Sequence, residues 1–143
     1  MKNPFEFSCD NKRYHTLSYH NKQTFNVKIF KAVIDAGFTC PNKDGSKGIG
    51  GCIFCDGGSG YFTNSYLKSV EEQIKMELKR IKKKNPNARA IAYFQANTNT
   101  YADVQKLKKI YLPVLSQPDV EGISIGTRAD CLQPQILDFL EEL

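Results

Sequence analysis

Three cysteines, Cys40, Cys52 and Cys55, stand in the stretch CPNKDGSKGIGGCIFCDGGSG with the spacing C-x11-C-x2-C. The short gap lets Cys52 and Cys55 turn back onto one centre, and Gly45, Gly48, Gly50 and Gly51 permit tight turns in the loop before them. Thiolates spaced in this way hold zinc or an iron–sulfur cluster. Structural zinc takes four protein ligands, and catalytic zinc sets of three usually include histidine. The two histidines, His15 and His20, lie well upstream. A four-iron cluster on three thiolates would keep one iron free for a small molecule. Spacing alone leaves the zinc and the iron–sulfur readings open. Cys9 and Cys131 read as ordinary thiols, Cys131 as a small packed one.

The elements that must carry this loop are legible from periodicity. NVKIFKAVIDAGF, rich in β-branched and aromatic residues, reads as a strand leading into the cysteines. SVEEQIKMELKRIKKK is a helix with Val70, Ile74, Leu78 and Ile81 on one face; Ser69 and Glu72 form a capping box, and Pro86 stops it. ARAIAYFQ is a short apolar run expected to be covered on both faces. ADVQKLKKIYLPVL is a helix burying Val104, Leu107, Ile110, Tyr111 and Leu115, with Pro113 expected to kink or shorten it. VEGISIGT is a third strand, and PQILDFLEEL a third helix with Pro134 at its first position. Strand–helix alternation predicts an α/β fold with parallel strands, whose chemistry collects in loops at the carboxyl ends of the strands. Those loops are the cysteine loop, QANTNTY and TRADCLQ. The last helix carries Ile136, Leu137, Leu140 and Leu143 without a terminal cap, and three parallel strands leave open edges. The chain therefore reads as the N-terminal half of a larger barrel-like domain.

Other features admit two readings each. Gln95, Asn97, Thr98 and Asn99 either contact a ligand or form a polar turn, with Thr100 capping the next helix. Arg128 either pairs a carboxylate or phosphate bidentately or forms an ion pair with Asp130. The basic run KRIKKK is a solvated helix end or a phosphate-contacting patch. Tyr14, His15, Tyr19 and His20 are surface or structural residues, or stack on bases. The chain has 143 residues, 41% of them apolar, and a net charge of +5. That charge permits a nucleic-acid partner without requiring one. No apolar run approaches a membrane span and the first residues do not form a signal peptide, so the expected location is cytoplasmic.

CDNKRYHTLSYH, FTCPNKDG, GGCIFC, YFQANTNT and SIGTRADCL resemble, in the same order, motifs of the radical S-adenosylmethionine (radical SAM) superfamily. Within it they are similar to the YhcC/YtqA-like subfamily of the elongator-catalytic-subunit-like branch. The usual superfamily spacing is C-x3-C-x2-C, and the wider spacing here is similar to that branch. Ala129 stands where the subfamily tends to have proline, and a Gly-Gly-Glu-like motif is absent after the second strand. The resemblance implies a partial TIM-like (βα) barrel comprising the first three βα units. Residues 1–25 would be an N-terminal extension, and residues 26–143 the N-terminal half of the core domain, ending inside a helix. It further implies a [4Fe-4S] cluster on Cys40, Cys52 and Cys55. S-adenosyl-L-methionine would bind the open iron, and reductive cleavage would give methionine and a 5′-deoxyadenosyl radical. Phe54 would lie near the adenine; Gly57, Gly58 and Gly60 would admit close backbone approach; Gln95, Asn97, Thr98 and Arg128 are the remaining candidate cofactor contacts. The implied activity is that of a transferase modifying tRNA at a wobble uridine, with flavodoxin or ferredoxin as electron donor and no membrane partner. The alternatives are a non-catalytic zinc or iron–sulfur module that contacts nucleic acid, and an incomplete domain without activity. No residue is singled out as the one that acts on the substrate.

Overall fold

Three parallel strands, β1 (Ile29–Ile34), β2 (Arg89–Phe94) and β3 (Val120–Ile125), form one sheet in the order β1-β2-β3. The computed structural model describes Phe5, residues 11–55 and residues 69–143. Helix α2 (Val70–Lys84) follows the cysteine loop, α3 (Val104–Leu115) follows β2, and α4 (Pro134–Glu141) follows β3. The α/β alternation expected from the sequence is present as three successive strand–helix units.

The pairing register explains the core. Ala32 lies opposite Ala92, and Ile34 opposite Phe94. These residues and Ala90 are completely buried. They pack with Ile74 and Ile81 of α2, Leu107, Tyr111 and Val114 of α3, and Ile136 and Phe139 of α4. Alanine at three of these strand positions leaves room for large helical side chains. The opposite face is different. Val33, Ile91, Tyr93 and Ser124 are half-buried and Lys31 is exposed. Burial along β2 therefore alternates, correcting the expectation of a strand covered on both faces: the core helices pack on one face of the sheet.

Local signals account for most helix boundaries. Ser69 and Glu72 make the reciprocal capping box, and Lys82, Lys83 and Lys84 fill the last turn of α2, where the helix dipole favours cations. In α3 the cap is Asp103, whose carboxylate accepts from the Lys106 amide at 2.9 Å. Thr100 is not the cap, because the helix starts only at Val104. Pro113 lies inside α3, which ends two residues later. Val114 is fully buried and Leu115 half-buried, the reverse of the expected emphasis. Pro134 opens α4 as expected; its buried side is Ile136 and Phe139, while Leu137 is exposed.

The sequence reading did not anticipate α1 (Leu17–Phe25). Thr16 caps it by accepting from the Tyr19 amide at 3.0 Å, and Asn26 closes it in the left-handed region. It buries no residue, so no apolar stripe marks it. No helix among the described residues is long and apolar enough to cross a membrane.

Candidate functional site

The cysteine loop leaves β1 through a braced corner. Gln73 of α2, itself buried, accepts from the Asp35 amide at 2.9 Å and donates to the Asp35 carbonyl at 2.8 Å. The loop then folds on itself. The Cys40 carbonyl accepts from the Lys43 and Asp44 amides, the Pro41 carbonyl from those of Lys47 and Gly48, and the Asn42 carbonyl from that of Gly51. Gly51 has φ +88°, and a Cβ there would sit 3.1 Å from the Lys43 side chain. A side chain at this position would be strained and crowded at once.

Cys40 is buried, Cys52 half-buried and Cys55 exposed, and all three are free thiols. Two of the sulfurs accept hydrogen bonds. Thr98, in the loop after β2, donates its hydroxyl to Cys40 Sγ at 3.3 Å. Asn42 donates its amide to Cys52 Sγ at 3.1 Å. Burial pushes the Cys40 thiol up. It is outweighed by the Thr98 hydroxyl, the Asn42 backbone amide and the nearby Arg128 and Lys43 cations, which leave the thiol below its ordinary pKa. These donors favour thiolate character, as a metal ligand requires. Among the described residues no three His, Cys, Asp or Glu side chains form a group that could hold a metal ion.

All three strand-end loops meet, as the α/β reading anticipated. Lys43 donates to Asn97 Oδ1 at 2.7 Å, and Asn97 Nδ2 donates to the Phe38 carbonyl at 2.8 Å. Ser46 and Tyr101 share a hydrogen bond of 2.9 Å. Thr100 bonds the Thr127 hydroxyl and donates to the Cys131 carbonyl at 2.9 Å. Asn99 is the keystone of this layer. Its Nδ2 donates to the carbonyls of Phe94, Ala96 and Gly126 at 3.3, 3.0 and 2.9 Å, and its own carbonyl accepts from the Tyr111 hydroxyl. Among the described residues, no group bonds its buried Oδ1. A Cβ on Gly126 would come within 3.2 Å of the Phe94 carbonyl, so a side chain there would crowd the close approach of the β2 and β3 ends.

The remaining candidates divide. Thr98 is brought directly onto Cys40, and Asn97 onto the cysteine loop through Lys43; Gln95 is half-buried beside them. Arg128 makes the ion pair with Asp130 through two bonds of 2.9 and 2.8 Å. The Arg128 and Lys47 contacts hold Asp130 well below the usual carboxylate range. Cys131 is buried, as expected of a packed thiol; burial and then Asp130 push it up. Phe54 is 83% exposed. His15 stacks edge-on against Tyr19 and His20 at the surface, away from the cysteines in sequence. In KRIKKK, Arg80 pairs with Glu77 and Lys82 with Asp119. Gly57, Gly58, Gly60 and Cys9 lie outside the described residues. Cysteine spacing gives no cue to Asn42, Lys43 or Lys47, although all three sit inside the cysteine loop.

The chain is similar to three curated proteins of longer length. YtqA of Bacillus subtilis is 46% identical over the whole of this chain and 45% of its own length. YhcC of Escherichia coli is 38% identical over 82% of this chain and 37% of its own. A protein of Methanocaldococcus jannaschii is 43% identical over 85% and 37%. The chain thus spans less than half the length of these relatives. It matches no family model and no solved structure.

Proposed function

We propose that this chain is the N-terminal part of a radical SAM enzyme, built as the first three βα units of a TIM-like barrel. The observation that carries the reading is the treatment of the thiols. Cys40 is gripped from the next strand-end loop by Thr98, and Cys52 from within its own loop by Asn42. Donors to sulfur orient thiolate ligands and tune the potential of a cluster. The reading assigns Cys40, Cys52 and Cys55 as the thiolate ligands of a three-thiolate cluster. When bound, that cluster and SAM supply the reductive carbon–sulfur cleavage, a task that belongs to cofactors rather than to side chains. The chain's own work is positional. Thr98 fixes the Cys40 sulfur, Lys43 and Asn97 fix the loop, and the Arg128 and Lys43 cations favour the Cys40 thiolate. By the resemblance, Gln95, Asn97 and Thr98 would line the SAM site in place of the absent acidic motif, with Phe54, Gly57, Gly58 and Arg128 as the other cofactor contacts.

In this reading the substrate is tRNA at a wobble uridine, on the strength of the motif resemblance, with phosphate contacts at the basic end of α2. A flavodoxin or ferredoxin in the cytoplasm supplies the electron. The test is anaerobic reconstitution with iron and sulfide, followed by electron paramagnetic resonance of the reduced chain with and without SAM. A spectrum that shifts on adding SAM, with 5′-deoxyadenosine released, is expected. A cluster indifferent to SAM would instead leave a structural iron–sulfur module.

A further inference from the structure

Lys47, at the tip of the cysteine loop, pairs with Asp130, which lies 83 residues away beyond β3. Asp130 is already held by Arg128 through a bidentate fork. That fork fixes the plane of the carboxylate, so Lys47 meets a group with little remaining freedom, unlike an ordinary surface ion pair. Behind Lys47 the loop doubles back: the Lys47 and Gly48 amides both bond the Pro41 carbonyl, next to Cys40. Pulling on Lys47 therefore pulls on the residue after Cys40.

We propose that Asp130 is a positioning residue for Cys40: by holding Lys47 it latches the cysteine loop onto the loop after β3 and keeps the Cys40 thiol covered. Ser46–Tyr101 and Lys43–Asn97 tie the same loop to the segment after β2, and the latch adds the third strand to the clasp. Its meaning for a cluster, as a guard on ligand exposure, rests on the iron–sulfur reading; the latch itself does not.

The experiment follows alkylation of each cysteine by iodoacetamide in the reduced, metal-free 143-residue chain, resolved by mass spectrometry. Asp130→Asn and Lys47→Ala should each speed Cys40 alkylation by about two- to fivefold, the range an exposed but ordered ion pair can hold. The double variant should gain no more than either single one. Lys47→Arg should restore the slow rate, and raising the ionic strength should speed the parent chain and Lys47→Arg but not the variants that lack the pair. The two single variants change local charge in opposite senses, so an effect of charge on thiol ionisation alone would speed one and slow the other. If Asp130→Asn unfolds the chain, all cysteines react alike and Lys47→Ala carries the test. Cys40 rates within twofold of the parent in Lys47→Ala, or slower ones, would overturn the latch whether or not the chain binds iron.

Discussion

Phe94 and Asn99 lie five residues apart and are equally hidden, at 0% and 1% exposure, yet they belong to different kinds of interior. Phe94 sits in a layer of apolar side chains, edge-on to Tyr111 with ring centroids 4.7 Å apart. Asn99, with Thr98 and Thr100, forms a run of three buried polar residues. The first layer is held by apolar area, which is non-directional. The second is held by hydrogen bonds that fix each loop relative to the others. The sheet-and-helix core thus supplies stability, and the polar layer above it supplies the geometry of the strand ends where Cys40 lies.

The largest effect should come from Phe94→Ala, about 3–5 kcal/mol lost in urea unfolding, because a large cavity opens in the helix-covered core. Asn99→Ala should cost about 2–4 kcal/mol, since three carbonyls lose a shared donor in a buried setting. It should also loosen the strand-end loops, read as faster amide exchange at Gly126. A cost below about 1 kcal/mol would mean the polar layer is incidental.

Tyr111 joins the two layers, its ring in the core and its hydroxyl on the Asn99 carbonyl. Tyr111→Phe should cost about 1–2 kcal/mol. Burial raises the Tyr111 pKa well above its ordinary value. The folded chain therefore holds this proton more tightly than the unfolded chain. Its contribution is complete below about pH 10, the unfolded value, and is lost as pH rises beyond that. Unfolding curves of the parent should weaken above that pH more steeply than those of Tyr111→Phe. Parallel curves would contradict the linkage. Ser69→Ala, remote from both layers, should cost only about 1 kcal/mol by removing the α2 cap.

What could be read in advance follows the same division. α2 is written locally: its apolar period, its cap and its stop lie within one stretch of sequence. The parallel pairing followed from strand–helix alternation, because a parallel pair needs a crossover. The polar layer was not legible, because its bonds span distance: Thr100 reaches Cys131 across 31 residues, and Thr98 reaches Cys40 across 58. A threonine beside a helix start suggests a cap by local rules, and Thr100 serves tertiary contacts instead. α1 escaped for the opposite reason, since a helix that buries nothing leaves no period, and Thr16 and Asn26 at its ends were its local marks. Cys40, Cys52 and Cys55 were visible from spacing, but the donors that suit two of them for a metal were visible only in the fold.

The most direct test of the central claim is the iron and acid-labile sulfide content of the anaerobically reconstituted chain, beside Cys40→Ala, Cys52→Ala and Cys55→Ala. About four irons and four sulfides per chain, lost in each of the three variants while their far-UV circular dichroism stays that of the parent, is the result expected of a three-thiolate cluster. Stoichiometric zinc without sulfide, or a full cluster surviving any one of the substitutions, would contradict it.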